Sequence, residues 1–195
     1  MVYTAETDPL CYPGTTVLRN KLGLTEQALL DEYELAVFLT RADEPFPAGH
    51  FDYSHYRALH RHLFQDVYDW AGEVRKIRIG KAGNWFCYPE YIDREMTRIF
   101  AELKAVRHLR GHSPKAFASQ AAHVLAEINA VHPFREGNGR TQLSFLALLA
   151  DNAGLPFHDD VLDRERVIGA MIESFSGDEQ PLGHLILEIV SEARS

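Results

Sequence analysis

The sequence predicts an all-α fold that carries one small β-hairpin. Three observations predict it. Seven segments repeat apolar residues at the three- and four-residue spacing of a helix, and proline and glycine stand where helices open and close. Only the stretch 74–86 alternates in the manner of strands.

Residues 1–23 hold Pro9, Pro13, Gly14 and Gly23 with little periodicity, and read as an irregular arm packed on a single helical domain of residues 24–195. From Thr25 as N-cap, Leu29, Tyr33, Ala36 and Leu39 mark the inner face of a first helix that stops before Pro45 and Pro47. Tyr56, Leu59, Leu63, Val67 and Trp70 share one face of a second helix that ends at Gly72. Val74 to Ile79 then runs into Gly80-Lys81-Ala82-Gly83-Asn84 before Trp85 and Phe86, the pattern of a hairpin. Pro89 suits the first turn of a third helix, with Ile92, Met96, Ile99, Leu103 and Val106 inward and an end near Gly111. Ser113-Pro114, a cap followed by a first-turn proline, opens a fourth, with Phe117, Ala121, Val124, Ile128 and Val131 in line. The run from Thr141 to Ala153 is apolar nearly all round and ends at Gly154, so it is expected in the middle of the domain. Helices over about 163–174 and 181–193 complete the wall.

Composition narrows the function. With 195 residues and 46% hydrophobic content the chain can bury one good core, and the expectation is one domain. A net charge of -8, from 28 acidic and 20 basic residues, argues against nucleic acid as the main partner, because phosphate neutralisation needs clustered Lys and Arg. Two cysteines, Cys11 and Cys87, make no disulfide framework and point to a reducing compartment. No stretch approaches the roughly 20 apolar residues that span a bilayer, so the reading is a soluble, cytoplasmic protein without a membrane partner.

The chemistry concentrates in His132-Pro133-Phe134-Arg135-Glu136-Gly137-Asn138-Gly139-Arg140, polar and glycine-rich between two apolar helices. Gly137 and Gly139 remove side chains so that backbone can approach a ligand, and the N–H groups of residues 137–140 open the next helix without intrahelical partners. Such a helix start favours anions, above all phosphate, and Arg140 adds a planar charged fork suited to phosphate oxygens. Glu136 in the same place would repel phosphate unless a cation stands between them, and Mg²⁺ held by one carboxylate plus phosphate oxygens resolves the conflict. His132, at the end of the preceding helix, is the natural general base, with an unperturbed pKa of about 6.5. The helix end favours its imidazolium, whereas Mg²⁺ and Arg140 favour the neutral ring, and the sequence leaves that balance open. Phe134 is expected to point down and anchor the loop. The bland alternative is a glycine connector capped by Asn138, with a surface ion pair between Arg135 and Glu136.

These nine residues resemble the signature of the Fic family, His-x-Phe-x-Asp/Glu-Gly-Asn-Gly-Arg-x-x-Arg, and match its first nine positions. The resemblance extends to Asp8-Pro9, Tyr12-Pro13-Gly14-Thr15 and Leu18-Arg19-Asn20-Lys21-Leu22-Gly23, which are similar to the opening of bacterial Fic toxins. It implies a Fic-type helical bundle with a β-hairpin flap, and transfer of AMP from ATP to a Tyr, Ser or Thr hydroxyl of a target protein. By position, it assigns deprotonation of that hydroxyl to His132 and Mg²⁺ binding to Glu136. The α- and β-phosphates fall to Gly137, Asn138 and Gly139, and the developing charge to Arg140. The flap residues Ile77, Arg78, Ile79, Gly80 and Lys81 would dock the target by adding it as an extra strand.

One position departs from the pattern. Three residues after Arg140 the family usually has a second arginine, associated with the γ-phosphate and with the glutamate of an inhibitory helix; here it is Leu143. At i+3 it shares a helix face with Arg140, so a missing cation is felt near the phosphate tail. The departure leaves open a Fic-fold transferase with another donor, for UMP, phosphoryl or phosphocholine transfer, and a weakly active nucleotide-binding protein. No Ser/Thr-x-x-x-Glu-Gly/Asn string of an internal inhibitory helix occurs, which by resemblance points to the toxin class repressed by a separate small antitoxin.

Elsewhere, His55, His60 and His62 lack the spacing and third ligand of a zinc site and read as surface or half-buried packing residues. Arg75, Lys76, Arg78 and Lys81 form one basic patch, readable either as a solvated hairpin face or as a contact for acidic targets or phosphates.

Overall fold

A computed structural model describes residues 8–81 and 83–191. Among them are seven α-helices and one two-stranded antiparallel hairpin: α1 (Gln27–Ala42), α2 (Tyr53–Phe64), β1 (Gly80–Lys81), β2 (Asn84–Trp85), α3 (Pro89–Ala105), α4 (Pro114–Val131), α5 (Asn138–Ala153), α6 (Arg164–Phe175) and α7 (Gln180–Val190). Residues 1–7, the start of the expected arm, and Ala82 in the hairpin lie outside the described residues, as does the end of the last expected helix beyond Ser191.

Local chemistry explains most helix starts. The Asp52, Ser113 and Asp163 side chains accept the N–H groups of His55, Ala116 and Arg166, and Pro89 and Pro114 occupy first turns where a missing N–H costs nothing. The first helix differs: its N-cap is Glu26, without a side-chain cap, in place of Thr25. Its buried residues are Leu30 and Glu34, whereas Leu29 and Leu39 are exposed, so the helix is turned by about one residue from the face the apolar spacing suggests. The second helix ends at Phe64 rather than Gly72; Val67 and Trp70 are buried as expected, but from the turns that follow it.

The helix at the centre is α4, which packs on α3, α5, α6 and α7. It earns that place with Phe117, Ala121, Leu125 and Ile128 fully buried; each large apolar side chain contributes about 2–3 kcal/mol by leaving water. The fifth helix, read as apolar nearly all round from Thr141 to Ala153, packs on α2 and α4 with no exposed residue in that span except Asp151. Val106, expected inside, caps α3 at the surface.

The arm is fastened by its own backbone. A bridge between Cys11 and Leu18 closes a turn, Lys21 N–H donates to the Val67 carbonyl at 2.9 Å, and Cys11, Val17 and Leu18 enter the core. Asp8 reaches further, taking a hydrogen bond from Arg135 Nε at 2.5 Å with both side chains buried. Arg135 is thus bound to the arm, and the surface pair with Glu136 is not formed.

Candidate active site

The loop from His132 to Gly137 joins the two buried helices α4 and α5, and its shape follows from a few side chains. Phe134 is fully buried and lies against the His60 ring at 3.8 Å and the Tyr56 ring at 5.6 Å. Asn138 staples the loop, its Oδ1 accepting Phe134 N–H at 3.0 Å and its Nδ2 donating to the Phe134 carbonyl at 2.8 Å. Both polar atoms of that amide are used inside the loop, so Asn138 offers a ligand its main chain. Gly137 is required twice over: its φ is +79°, and a Cβ there would stand 2.5 Å from the Phe64 ring.

The N-terminus of α5 is left as a donor cluster. Thr141 is the first residue whose N–H reaches back along the helix, to the Gly137 carbonyl at 3.0 Å; Asn138, Gly139 and Arg140 precede it. Gly139 is exposed, and a Cβ at that position would meet no described atom within 4 Å. Packing therefore does not demand a glycine there, whereas close approach by an anion does.

His132 caps α4 in the left-handed region at φ 52°. Its ring is buried and stacks on Phe86 at 3.8 Å and 12°. Nδ1 faces the Asn129 carbonyl at 3.3 Å. A carbonyl only accepts, so Nδ1 carries the proton and Nε2 holds the lone pair. Burial first, then the Lys81 and Arg75 charges, lower the imidazole pKa to about 3, outweighing the Asn129 carbonyl. The balance that the sequence left open is settled for the neutral ring, with burial as the main cause.

Glu136 and Arg140 sit one helical turn apart. The Glu136 carboxylate accepts Gly137 N–H at 2.9 Å and lies 3.8 Å from Arg140 Nη2. Its pKa is raised, by burial and then by the neighbouring Glu34 charge, against the opposing pull of Gly137 N–H and Arg140. Arg140 lies over the Phe64 ring at 4.7 Å and forms an ion pair with Glu34 of α1. Glu34 also accepts the Tyr68 hydroxyl. Glu34 was not foreseen as part of the site; the only trace in the sequence is an acidic residue one position off an apolar stripe.

Two further residues hold the loop from outside it. Gly72 N–H donates to His60 Nδ1 at 2.8 Å, so Nε2 carries the proton and donates to the Glu136 carbonyl at 3.0 Å. His60 is thus fully buried, not at the surface or half-buried as its sequence suggested, because both ring nitrogens are bonded to backbone there. His55 and His62 make separate bonds to the Pro47 and Arg41 carbonyls, and the three rings form no common site. Arg75, read with the basic patch, is 3% exposed, and its guanidinium is spent on backbone carbonyls.

The hairpin beside the loop is shorter than its sequence pattern, pairing Gly80 with Trp85 and Lys81 with Asn84. Ile77, in a bend, and Arg78 and Ile79 precede β1 outside the paired strands; the Ile77 carbonyl accepts Arg75 Nη1 at 2.7 Å and the Ile79 carbonyl accepts Phe86 N–H at 3.1 Å. Ile79 is buried, while Arg78 lies over the Tyr88 and Trp85 rings at 3.9 and 4.8 Å. A separate cavity of about 460 Å³ between Phe51, Phe100 and His108 opens at the N-terminal end of α2, away from these residues.

Comparison with known proteins agrees with this geometry. Residues 50–150, which include the whole loop and the hairpin, match the Fic/DOC family. A protein of Sinorhizobium fredii described as "Probable protein adenylyltransferase y4lH" is 57% identical over 96% of this chain and 98% of its own length. The "Probable protein adenylyltransferase Fic" of Escherichia coli is 33% identical over 95% and 94% of the two chains. Among solved structures, the BepC effector of Bartonella tribocorum with bound AMPPNP superposes with a TM-score of 0.84 at 27% identity, covering 95% of this chain and 97% of that one.

Proposed function

The chain belongs to the Fic/DOC family, and from that premise we propose how its residues share the work of a protein adenylyltransferase. The enzyme transfers AMP from ATP to a hydroxyl side chain of a target protein. His132 is the general base: Nε2 takes the proton from the hydroxyl as its oxygen bonds to the α-phosphorus, and the bond to the β-phosphate oxygen breaks to release pyrophosphate. The observation that carries this reading is the neutral Nδ1–H form of a buried imidazole at one end of a loop whose other end is an open helix N-terminus. The N–H groups of Asn138, Gly139 and Arg140 hold the phosphates, and Arg140 faces the charge that grows on them.

Glu136 is the residue suited to Mg²⁺. Its carboxylate is destabilised by burial and by Glu34, which a divalent cation would relieve. Among the described residues no group of three or more His, Cys, Asp or Glu could hold a metal, so the ligand shell must be completed by substrate phosphates and water, as Mg²⁺ allows. When bound, the ion would neutralise charge on the phosphates, and Glu136 would be the residue that holds it.

The flap, Ile77 to Lys81, supplies main-chain groups for docking a target segment as an added strand, and the acceptor is a Tyr, Ser or Thr hydroxyl. Repression by a separate small antitoxin belongs to the same reading, supported by resemblance to stand-alone Fic toxins. No helix among the described residues is long and apolar enough to cross a membrane.

The test is transfer of label from ATP marked at the α-phosphate. His132→Ala is expected to abolish transfer while Mg-ATP still binds, because the base acts on the acceptor. Transfer retained in that variant overturns the assignment. A panel with labelled UTP, γ-labelled ATP and CDP-choline decides the donor: transfer from one of these in place of AMP replaces the adenylyl reading.

A further inference from the structure

We propose that Arg75 is a positioning residue that locks the flap and the His132 loop into one register, so that a target docked on the flap meets the imidazole at a fixed place. The inference rests on the function proposed above. It starts from an accounting problem. The last carbonyls of a helix have no partners within it, and a buried helix end must find donors elsewhere. At the end of α4, Ile128 accepts His132 N–H and Asn129 accepts His132 Nδ1. The next four carbonyls all turn to one neighbouring segment. Ala130 accepts Cys87 N–H at 3.2 Å and Pro133 accepts Arg75 N–H at 2.9 Å. Val131 accepts Arg75 Nη2 at 3.0 Å and His132 accepts Arg75 Nε at 2.8 Å.

The same guanidinium holds both legs of the flap. Nη1 donates to the Ile77 carbonyl at 2.7 Å, before β1, and Nη2 to the Cys87 carbonyl at 2.5 Å, after β2. Phe86, one residue from Cys87, covers the face of the His132 ring. One side chain thus closes the base of the hairpin and grips the backbone of the base in the same plane. A cation at a helix C-terminus is favourable, and a planar fork with five donors can serve four carbonyls from two segments. A lysine cannot: its donors diverge from one nitrogen.

The experiment compares Arg75→Lys with wild type for auto-modification by α-labelled ATP, Mg-ATP affinity, and the ¹⁵N shifts of the His132 imidazole. Expected are a rate lowered at least tenfold, a nucleotide Kd within twofold, and loss of the single Nδ1–H signature to tautomer averaging. A wild-type rate with an unchanged imidazole spectrum overturns the proposal. His132→Ala in the same assay keeps the two claims apart, since residual transfer there defeats the function and leaves the register question to the Arg75 data. Should Arg75→Lys fail to fold, native-state hydrogen exchange of the wild-type protein decides. The Cys87 and His132 amides must open together with one free energy, and independent opening refutes the clamp.

Discussion

Glu34 on α1 and Arg140 on α5 form an ion pair that ties the first helix to the arginine at the start of the fifth. The same carboxylate takes the Tyr68 hydroxyl and stands close enough to Glu136 to raise its pKa. Glu34 therefore holds Arg140 in place and adds negative charge where the proposed function puts phosphate. In Glu34→Gln the one amide oxygen can still accept from Arg140 and the amide N–H can donate to the Tyr68 hydroxyl oxygen, but the charge is gone. At a distance of about 6 Å and an effective dielectric near 20, one charge is worth about 3 kcal/mol. Mg-ATP affinity is expected to rise about a hundredfold. With one like charge fewer, Glu136 ionises at lower pH, so the acid limb of the pH–rate profile moves downward. Calorimetric titration and rates from pH 4.5 to 8 check both; an unmoved Kd and an unmoved limb refute the charge argument.

His60 and His132 are both pushed to about 3, chiefly by burial. In the unfolded chain each returns to about 6.5. Between those values the unfolded state binds more protons, so each ring contributes stability that is complete above about pH 6.5 and is lost as pH falls. The slope is about 1.4 kcal/mol per pH unit for each ring. Glu136, raised in the folded state, works in the opposite sense above the ordinary carboxylate range. Urea unfolding at pH 7.5 and 5.5 isolates one ring: His60→Gln is less stable throughout, and its loss of stability between those two pH values is expected to be smaller by about 1.4 kcal/mol in total. An equal slope would mean that His60 titrates in the folded protein.

What the sequence could and could not reveal divides by range. Ser113-Pro114 and Gly154 bound their helices because a cap and a left-handed stop are local chemistry. The span from His132 to Arg140 is conspicuous for the same reason, since one turn gathers an imidazole, a carboxylate, a guanidinium and a glycine-bounded helix start within nine positions. Glu34 reaches Arg140 across 106 positions, and Arg75 reaches His132 across 57. A charged residue reads as surface until its distant partner is known. The rotation of α1 was hidden likewise: Leu29 and Leu39 have helical spacing, but the helix turns Leu30 and Glu34 inward because Glu34 has partners waiting.

Leu143 lies one turn after Arg140 and is half-buried on the same helix. An arginine there would bring a second cation to the phosphate tail, with Glu34 and Glu136 nearby to offset its repulsion of Arg140. Leu143→Arg is expected to raise ATP-dependent auto-modification several-fold through a lower KM for ATP. A rate unchanged or reduced, measured with α-labelled ATP over a range of concentrations, removes this explanation of the departure from the family signature.

The two loop glycines make opposite predictions. Gly137→Ala places a Cβ against the Phe64 ring and holds alanine at φ +79°, a conformation that costs about 1 kcal/mol before the clash is counted. Phe64 is fully buried and cannot move aside freely. The variant is expected to lose about 2–4 kcal/mol of stability, read from urea midpoints. Gly139→Ala meets nothing in the protein and sits in the first turn of α5, where alanine is the better helix former by about 1 kcal/mol. It should therefore fold as well as wild type or better. If phosphate oxygens approach the α5 N-terminus, however, the added methyl occupies their path, and Mg-ATP affinity should fall at least tenfold in a protein that melts no earlier. Stable folding together with wild-type affinity in Gly139→Ala would place the phosphates somewhere other than this helix end.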